Sequence, residues 1–573
     1  MLEGKPAGGN RATFELLAVI VLYKMQPSES AAFRSLQSAI SGLALGQSGI
    51  RILLYDNTPG GCDPGPLPEG VQYEAAGQNA GLAAAYNHAL AIARREKDTW
   101  LLILDQDTTL PSNYLSRMSE VALGIEADEE IGAIVPRMLD AGRPVAPVFI
   151  RFWGVSYVPS GFEGISRREI HATNSATLFR VSALKQIGGF SPYFWLDYVD
   201  GYVFRQFHMH GLKVYVARDI DVEHELSLLH GGELKADRYR NILRAESAFW
   251  DMYGGYIQGL ALTGRLLGRM WRQWKRGHEL SVRQLTWQEL KRRILQSKTH
   301  RINDWMREME LRIQGYEGTE KGQGVSEERP AISVCMAAYN GEKYIAAQLQ
   351  SILSQLGAED EVIVVDDGST DGTREQVRSL KDGRIRLLDH DRNLGVSHTF
   401  EDAIRAASGD ILFLSDQDDL WAADRVSAVL RAFQLFPDVD IVASDAVLID
   451  ENDAPIGSSY YAQRGKFRSG VLANIVRCSY LGCTMVFRGR ICARILPFPT
   501  GADVLHDLWI GASNALAGGK TVYIDRPLVR YRRHADNFTG NRRLTTGRQI
   551  RIRWALCRSL AQYWLDSRRA YRK

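Results

Sequence analysis

The sequence predicts an α/β protein made of two copies of one domain, each with a mostly parallel sheet. Three observations favour this fold. Short apolar runs typical of buried strands alternate with stretches of helical periodicity, which indicates parallel strands joined by crossover helices. The same ordered landmarks occur twice, about 310 residues apart. The length of 573 residues also exceeds the usual size of a single domain.

The landmarks are apolar runs that end in polar residues. The runs, each with the polar residue that follows it, are Leu17–Leu22 (Tyr23), Ile52–Tyr55 (Asp56) and Leu101–Leu104 (Asp105) in the first copy, and Ile332–Met336 (Tyr339), Val362–Val365 (Asp366) and Ile411–Leu414 (Asp416) in the second. Ligands of open α/β sheets bind beyond the C-terminal ends of the strands. The repeated polar residues therefore predict a site in each copy.

The same landmarks set the predicted domain limits. We predict a first domain over residues 1–245 and a second over residues 329–540. Residues 246–328 are basic, with Trp and Leu near helical spacing, and are predicted to form a helical linker. Residues 541–573 are predicted to form a basic amphipathic helical tail. The basic segments suit an anionic membrane surface; the alternative is a pair of solvated helices that packs the domains together.

Composition and charge exclude several other classes of protein. Hydrophobic residues make up 45% of the chain and charged residues 24%, as in folded globular proteins. A net charge of +3 and the absence of an RNA-binding motif argue against nucleic acid as a partner. The six cysteines contain no Cys-x-x-Cys pair, so we expect reduced packing cysteines. The start of the chain lacks a signal-peptide core, and no apolar run near it approaches the ~20 residues of a membrane span, so we expect a cytoplasmic protein.

Paired carboxylates after the third landmark strand of each copy are candidate metal ligands. Asp416 and Asp418 follow an apolar run at a spacing of two, and Asp105 and Asp107 do the same in the first copy. Two carboxylates at a strand end can face one Mg²⁺ or Mn²⁺, because these ions prefer carboxylate, phosphate and water oxygens. The alternative is an Asp-rich turn.

A second acidic position and a glycine turn extend each candidate site. Asp366 and Asp367 follow the preceding strand, where a carboxylate can accept hydrogen bonds from a nucleoside base or ribose. Asn393 and Gly395 open a helical pattern whose N-terminus can approach a phosphate. The corresponding residues of the first copy are Asp56, Asn79 and Gly81.

Together these motifs resemble the family 2 glycosyltransferases. The motifs are Ala338–Asn340, Asp366–Ser369, Arg392–Gly395 and Asp416–Asp418 in the second copy, and Asp56-Asn57, Gly77–Gly81, Leu104–Asp107 and Asp197–Asp200 in the first. The first copy is similar to the rhamnosyltransferase-like branch of the family. The resemblance implies a GT-A fold in both copies, Mg²⁺ or Mn²⁺ as cofactor, and inverting transfer from a dTDP- or UDP-linked sugar. It covers most of the chain except the basic middle and the tail.

The resemblance also implies a catalytic base and a histidine ligand later in each copy than the paired aspartates. The implied base, which takes the proton of the acceptor hydroxyl, is Asp507 in the second copy and Asp200 in the first, with Asp197 as the fallback. A carboxylate is ionised at neutral pH and suits that role, and a helix N-cap is the alternative. His534 and His224 are implied as third metal ligands or diphosphate contacts; an ordinary core or surface histidine is the alternative.

The remaining predicted contacts are with the donor and the acceptor. The predicted donor-binding residues are Tyr23, Asp56, Asn79, Gly81, Tyr339, Asp366, Asp367, Asn393 and Gly395. The segments 171–175 and 479–483 fall where the family places its acceptor-facing strand, although either could equally be a turn. They supply Asn174 and Gly482 as predicted acceptor contacts, and Trp509 is the third.

The leading hypothesis from the sequence is a bifunctional, metal-dependent, inverting glycosyltransferase. It would add two sugars to a growing bacterial surface polysaccharide such as an O-antigen or a capsule, with L-rhamnose from dTDP-rhamnose as the expected donor. The acceptor would be the polysaccharide or a lipid-linked oligosaccharide, reached from the cytoplasmic face of the inner membrane by peripheral contact. The alternative is one catalytic copy, with the other a glycan-binding or scaffold module.

Overall fold

Two nine-stranded sheets, one in each half of the chain, organise the part of the protein that the structure describes. The structure is a computed structural model that describes residues 14–42, 49–151, 154–223, 236–277, 279–317, 329–457, 459–499, 504–534 and 546–570. The chain divides into two units, Met1–Glu327 and Glu328–Lys573. The predicted fold, two α/β domains with mostly parallel sheets, is confirmed.

The first unit contains strands β1–β12 and helices α1–α9. The strands are β1 (Leu16–Leu22), β2 (Ile50–Asp56), β3 (Val71–Ala75), β4 (Trp100–Asp105), β5 (Ile131–Asp140), β6 (Arg143–Ala146), β7 (Val148–Arg151), β8 (Gly154–Tyr157), β9 (Gly164–Ser166), β10 (Ile170–His171), β11 (Thr177–Arg180) and β12 (Lys213–Glu223). The helices are α1 (Ala31–Ser41), α2 (Leu82–Glu96), α3 (Tyr114–Gly124), α4 (Val181–Gln186), α5 (Val199–Met209), α6 (Ala236–Tyr253), α7 (Tyr256–Lys275), α8 (Leu280–Leu295) and α9 (Lys298–Glu317).

The second unit contains strands β13–β21 and helices α10–α18. The strands are β13 (Ile332–Ala338), β14 (Glu361–Asp366), β15 (Ile385–Asp389), β16 (Ile411–Asp416), β17 (Leu420–Trp421), β18 (Val439–Ile449), β19 (Pro455–Gly457), β20 (Met485–Arg488) and β21 (Lys520–Arg532). The helices are α10 (Ile345–Leu353), α11 (Thr373–Ser379), α12 (Val396–Ala406), α13 (Arg425–Leu435), α14 (Tyr460–Arg464), α15 (Val471–Val476), α16 (Cys492–Ile495), α17 (His506–Leu516) and α18 (Thr546–Ala570).

The two sheets share one topology. The first has the order β3-β2-β1-β4-β11-β5-β12-β9, and the second has the order β15-β14-β13-β16-β20-β18-β21-β17. The first four strands of each list are parallel to one another, and β11 and β20 run antiparallel to both of their neighbours. The first unit also carries a small antiparallel sheet of β7, β8 and β10.

Continuous apolar strands explain why the predicted runs lie at the centre of each sheet. Every residue of β1 is buried, as are the first five residues of β4 and of β16. A strand with helices on both faces has no solvent-facing side, so it reads as an unbroken apolar run rather than an alternating one. The amphipathic helix α12 covers the second sheet with Phe400, Ala403 and Ile404, all of which are buried.

The register of these central strands brings the polar strand ends together. In the first sheet, Asp56 pairs with Leu22 and Asp105 pairs with Val21. In the second sheet, Asp366 pairs with Ala338 and Asp416 with Ala337. The aspartates of both copies therefore lie at the C-terminal edge of their sheet, on strands that neighbour the first strand of the unit.

The basic middle segment folds as helices of the first unit. Trp305 of α9 packs on Phe194, the guanidinium of Arg312 stacks 4.0 Å from the ring centre of Trp195, and Tyr193 donates a 3.2 Å hydrogen bond to Glu310. The segment begins structurally with α6 at Ala236, and residues 318–328 lie outside the described residues. The proposed linker limits, 246–328, stay a prediction.

The C-terminal segment forms the long helix α18, which packs on α15 and α17. Among the side chains of this helix that the structure describes, Leu556 and Leu560 are buried, whereas Trp554 is 72% exposed. The face of α18 that packs on the rest of the unit therefore contains Leu556 and Leu560, and Trp554 lies outside it. The proposed limits of the tail, 541–573, also stay a prediction, because residues 541–545 and 571–573 are not among those described.

Within the described residues, no helix combines the length and the apolar character needed to cross a bilayer. The six cysteines are all unpaired, as predicted.

A buried ion pair that joins α6 to α8 and α9 generates a stability prediction. Asp251 is 2% exposed and accepts hydrogen bonds of 2.7 Å from both Nε and Nη2 of Arg301, while Arg293 donates to it at 3.2 Å. Replacing one partner of a buried pair leaves an uncompensated charge, so we expect Asp251→Ala to lower the free energy of unfolding by about 3–5 kcal/mol. Urea denaturation monitored by circular dichroism measures the change.

The matched control is Asp237→Ala on the same helix. The Asp237 side chain is 87% exposed and pairs with Arg240 at the surface, and exposed pairs contribute about 0–1 kcal/mol. Equal effects of the two substitutions would contradict the structural role assigned to Asp251.

Candidate active sites

A cluster of buried acidic groups occupies the C-terminal end of β16 in the second unit. Ligand atoms of Asp416, Asp419 and Cys483 all lie within 4.8 Å of one another. Burial, together with the charges of Asp418 and Asp507, raises the pKa of Asp416 to about 7. Burial and the charges of Asp418 and Asp416 raise the pKa of Asp419 well above its usual value. The cluster therefore concentrates negative charge that a cation would relieve.

The predicted partners Asp418 and His534 lie side by side. Nε2 of His534 is 2.7 Å from Oδ2 of Asp418, and the His534 ring stacks near Tyr344 at 5.2 Å between ring centres. The backbone of Arg532 donates to Oδ1 of Asp419 at 3.0 Å, and its Nε donates to the Asp418 carbonyl at 2.7 Å. Strand β21 thus positions the predicted histidine against the predicted carboxylate.

These residues have the chemistry that a divalent cation needs. Oδ2 of Asp419 is buried and has no hydrogen-bond partner in the described part of the chain. Asp416, Asp418 and Asp419 offer carboxylate oxygens, which Mg²⁺ and Mn²⁺ prefer, and His534 offers an imidazole nitrogen. Sequence reasoning missed Asp419, although it directly follows the paired aspartates.

Asp366 and Asp367 adopt different roles at the end of β14. Asp367 accepts hydrogen bonds from the backbone N–H groups of Leu394 at 2.8 Å and Gly395 at 2.9 Å, and so ties down the turn before α12. His390 contacts Asp367 at 2.9 Å; burial opposes its charge, but hydrogen bonds to Asp367 and Asp402 raise its pKa. Asp366 pairs with Arg374 at 2.7 Å and leaves Oδ2 buried without a hydrogen-bond partner in the described chain.

A glutamine inside each metal motif anchors the first strand of each unit. Gln417 accepts a 2.8 Å hydrogen bond from the Tyr339 N–H and donates one of 2.8 Å to the Tyr339 carbonyl. In the first unit, Gln106 accepts a 2.8 Å bond from the Tyr23 N–H. Both tyrosines are exposed beside the cleft. This role was not predicted from the sequence, although the glutamine recurs in both copies.

Asp507, the predicted base, lies in the first turn of α17. Its Oδ1 accepts a 2.6 Å hydrogen bond from the Leu508 N–H. Burial raises the pKa of Asp507 to about 6, against the opposing effect of backbone hydrogen bonds and of Arg464. Because its charge also raises the pKa of Asp416, the two carboxyl groups share one electrostatic environment.

The three residues predicted to contact the acceptor are buried. Trp509 is 4% exposed and donates from Nε1 to the Ile495 carbonyl at 2.7 Å, so the structure places it in the core rather than in the cleft. Gly482 is buried, and a Cβ there would lie 2.5 Å from Nε2 of His506. The glycine makes room for that ring, which stacks on Phe400 at 4.1 Å. In the first unit Asn174 is also buried, with Oδ1 unpartnered among the described residues.

In the first unit, Asp56 is satisfied by the protein itself. It accepts hydrogen bonds from the N–H groups of Thr58 and Cys62, each at 2.8 Å, and from the Tyr73 hydroxyl at 2.6 Å. Burial opposes ionisation, but these hydrogen bonds lower the pKa of Asp56. Its neighbour Asn57 donates to the Gly81 carbonyl at 3.1 Å. The unit thus differs from the second, where Asp366 keeps one oxygen unpartnered.

The turn before α2 requires glycine. Gly81 has φ +85°, and a Cβ there would lie 2.5 Å from Trp195. Asn79 accepts a 3.1 Å hydrogen bond from the Gly81 N–H. Asn393 and Gly395 occupy the same place before α12, where Gly395 has φ +93°. The structure therefore places these predicted residues at helix N-termini of their units.

Tyr86 links the predicted metal ligand and base of the first unit. Its hydroxyl donates to Oδ1 of Asp105 at 3.4 Å, and burial with the charges of Asp105 and Asp200 raises its pKa well above the usual value. Asp200 accepts a 2.7 Å hydrogen bond from the Gly201 N–H, the arrangement that Asp507 has in the second unit. Burial raises the pKa of Asp200 as well.

Asp197, the fallback candidate for the base of the first unit, forms an ion pair with α6. Asp197 forms a 2.5 Å ion pair with Arg238 of α6, while burial raises its pKa to about 6. This pairing favours Asp200 for the role of base. Asp107 is exposed, in contrast to the buried Asp418 of the second unit. His224, the predicted third ligand, lies outside the described residues.

A protein-family model and several known proteins are similar to this chain. The model of "Glycosyl transferase family 2" matches residues 56–188 and 333–492, more than half of the chain. The chain is 28% identical over 179 residues to the Escherichia coli protein "UDP-Glc:alpha-D-GlcNAc-diphosphoundecaprenol beta-1,3-glucosyltransferase WfgD", covering 31% of this chain and 68% of that protein.

Two further similarities are to a Bacillus subtilis protein and to a solved structure. "Putative teichuronic acid biosynthesis glycosyltransferase TuaG" of Bacillus subtilis is 27% identical over 164 residues, 28% of this chain and 63% of its own length. Among solved structures, S. aureus TarS 1-349 in complex with UDP-GlcNAc aligns with a TM-score of 0.34 and 19% identity, over 41% of this chain and 66% of that one. On the family match, which covers strand-end aspartates of both units, this chain belongs to glycosyl transferase family 2.

Proposed function

We propose that the protein is a bifunctional, metal-dependent, inverting glycosyltransferase that builds a bacterial surface polysaccharide. The observation that carries the proposal is a pattern that occurs in both units. An aspartate ends a central strand (Asp416 or Asp105), and a second aspartate lies in the first turn of a later helix (Asp507 or Asp200), where it accepts a hydrogen bond from the next N–H group. The relatives in polysaccharide pathways support this class of product.

The cleft of the second unit suits a nucleoside diphosphate sugar. We propose that Asp416, Asp418 and His534 hold Mg²⁺ or Mn²⁺, with Asp419 as a further ligand. When bound, such a cation offsets the negative charge that develops on the leaving diphosphate. The unpartnered Oδ2 of Asp366 would accept a hydrogen bond from the nucleoside base, and the exposed Tyr339 borders the same edge.

Asp507 is proposed to remove the proton of the acceptor hydroxyl. Its Oδ1 is held by the Leu508 N–H, and its position in the first turn of α17 fixes the carboxylate relative to Asp416. Direct attack by the activated hydroxyl on the sugar inverts the anomeric centre and needs no enzyme nucleophile. Asp200 would play the same part in the first unit.

The two units are proposed to use different donors or to form different linkages. Asn57 stands where the second unit has Asp367, and Asp56 has both oxygens engaged by the protein. We propose dTDP-rhamnose for the first unit, on the likeness of its motifs to the rhamnosyltransferase-like branch. UDP-linked sugars are the first donors to test for the second unit, since the WfgD relative is named for UDP-Glc.

A surface on α7 and α8 supports peripheral contact with an anionic bilayer on the cytoplasmic side. We call it the tryptophan face; it consists of Trp271, Trp274, Leu280 and Trp287, which are 58%, 69%, 61% and 51% exposed. Helix α7 carries four basic residues and no acidic one. Exposed Trp beside Lys and Arg is the composition of an interfacial helix, and each cation near an anionic surface contributes about 1 kcal/mol.

The first prediction separates the two units. Asp416→Asn should abolish one of the two transfers and Asp105→Asn the other, because each removes a ligand from one site only. Nucleotide release from a panel of dTDP- and UDP-sugars with Mg²⁺ or Mn²⁺ measures both activities. Two-step activity that survives in full in either variant would show that the altered copy is not catalytic.

The second prediction concerns the base of the second unit. Asp507→Asn should slow its transfer by roughly 10²–10⁴-fold while donor binding persists, because general-base catalysis is lost. In the wild type, the active form is the deprotonated carboxylate with a pKa of about 6. The rate should therefore be constant above that pH and fall about tenfold per unit as the pH drops below it.

Steady-state rates between pH 4.5 and 8.5 and donor binding by calorimetry provide the measurements. Asp525→Asn, a change of the same kind on the late strand β21, is the control. A wild-type rate in Asp507→Asn would discard the assignment, and Asp200→Asn applies the same test to the first unit.

The third prediction concerns the tryptophan face. Trp271→Ser/Trp274→Ser/Trp287→Ser should weaken binding to anionic vesicles by at least about tenfold, because an aromatic side chain that leaves water gains about 1.5–3 kcal/mol. Flotation with phosphatidylglycerol vesicles measures binding, and phosphatidylcholine vesicles test for charge. Trp554→Ser on α18 is a control with an equally exposed tryptophan; loss of binding in that variant alone would assign the contact to the tail instead.

A further inference from the structure

A cavity of about 450 Å³ opens beside the proposed base of the second unit and is separate from the acidic cluster. Its walls come from α14, the segment after it, α15, the start of α17 and α18. Leu508, which directly follows Asp507, is part of the wall, as are Ser479, the first residue of the predicted acceptor segment, and its neighbour Cys478. We call this space the basic cavity, after the four cations in its lining: Arg464, Lys466, Arg477 and Arg553.

The described part of the chain places no carboxylate in hydrogen-bonded contact with the cations of the basic cavity. No Asp or Glu contributes to its lining. Within the described ranges, none of the four cations forms an ion pair with a carboxylate; Arg464 instead donates to the Tyr460 hydroxyl at 2.6 Å, and Arg477 donates to the Arg464 carbonyl. Four positive side chains around one open cavity attract an anion, and arginine forks match the oxygens of phosphate.

The helix at the corresponding place in the first unit uses its arginines differently. Helix α6 follows the last long strand of its sheet as α18 does in the second unit. Three arginines of α6 are paired with carboxylates: Arg238 with Asp197, Arg240 with Asp237 and Arg244 with Glu308. The helix in the first unit uses its cations for internal pairing, whereas Arg553 of α18 faces the cavity.

Apolar residues lie next to the cations. Helix α15, which contributes Asn474 and Ile475 to the lining, also exposes Leu472 and Val476, at 80% and 67%. Tyr460 and Tyr461 also line the cavity, although each is only 7% exposed. A ligand that meets the cations and the exposed apolar side chains is amphiphilic, with an anionic head and an apolar chain.

We propose that the basic cavity binds the diphosphate of a lipid-linked saccharide acceptor and so presents the saccharide hydroxyl to Asp507. The inference rests on the proposed function for the position of the base, and it adds the class of acceptor and the residues that select it. Arg464 is well placed for this coupling, because its charge acts on Asp507 from the cavity wall. The cavity volume lies within the range of about 300–1,000 Å³ typical of ligand sites.

Binding of two probes to the full-length protein tests the proposal without need of the natural acceptor. Inorganic pyrophosphate tests for diphosphate chemistry, and farnesyl diphosphate tests for the attached lipid. Both are titrated by calorimetry in EDTA, so that a divalent cation does not recruit them to the acidic cluster. Dimethyl phosphate represents a phosphodiester within a polymer, and glucuronate represents a carboxylate sugar.

We expect pyrophosphate to bind, and farnesyl diphosphate to bind more tightly. Arg464→Gln/Arg477→Gln should raise both dissociation constants at least tenfold, and Arg553→Gln, which alters only an exposed side chain, should raise them severalfold. Leu472→Ser/Val476→Ser should weaken farnesyl diphosphate alone. Arg558→Gln, on α18 but outside the cavity, is the matched control and should change neither constant.

Several outcomes would overturn the proposal. These are binding that Arg464→Gln/Arg477→Gln and Arg553→Gln leave unchanged, equal binding of pyrophosphate and farnesyl diphosphate, or preference for dimethyl phosphate or glucuronate. Circular dichroism of each variant shows whether it is folded. If Arg464→Gln/Arg477→Gln does not fold, Arg553→Gln alone still tests the proposal. Failure of the proposed base appears separately, as full transfer activity in Asp507→Asn with diphosphate binding intact.

Discussion

Crowding of carboxyl groups at the C-terminal edge of each sheet is the constraint on which the rest of the structure depends. Parallel strands in register bring Asp366 and Asp416 to one edge, and α17 adds Asp507. Burial of like charges raises the pKa of Asp416 and Asp419, so the cluster is costly for the protein alone. In our proposal, a cation and a phosphate-bearing ligand would offset that cost, and this would connect the fold to its chemistry.

The backbone around the crowded edge is held by neutral and charge-assisted hydrogen bonds. Gln417 and Gln106 clamp the end of the first strand of their units, and Asp367 accepts from two backbone N–H groups before α12. The two glutamines fix the strand ends without charge, whereas Asp367 adds a carboxylate that is satisfied by those N–H groups and by His390. Each unit thus holds the end of its first strand in the same way, while Asp56 and Asp366 differ in whether one oxygen lacks a hydrogen-bond partner among the described residues.

The helices that follow each sheet give the units different surroundings. In the first unit α6 and α9 pack on Phe194, and α6, α8 and α9 form buried ion pairs around Asp251, while the tryptophan face stays exposed. In the second unit α18 packs through Leu556 and Leu560 and borders the basic cavity. Duplication of one fold has thus been followed by divergence in the parts that contact neither the donor nor the cation in our proposal.

The sequence alone determined the duplicated α/β fold and the strand-end positions of Asp105, Asp416 and their neighbours, because unbroken apolar runs and their repetition are local patterns. The family resemblance also implied His534 as a third metal ligand or diphosphate contact, and the structure places it against Asp418. The sequence could not reveal that Asp419 joins the cluster, that Trp509 is buried, or that Arg464 and Arg553 face one cavity. Those facts depend on which distant elements pack together, and only the tertiary structure decides burial and charge pairing between residues far apart in the chain.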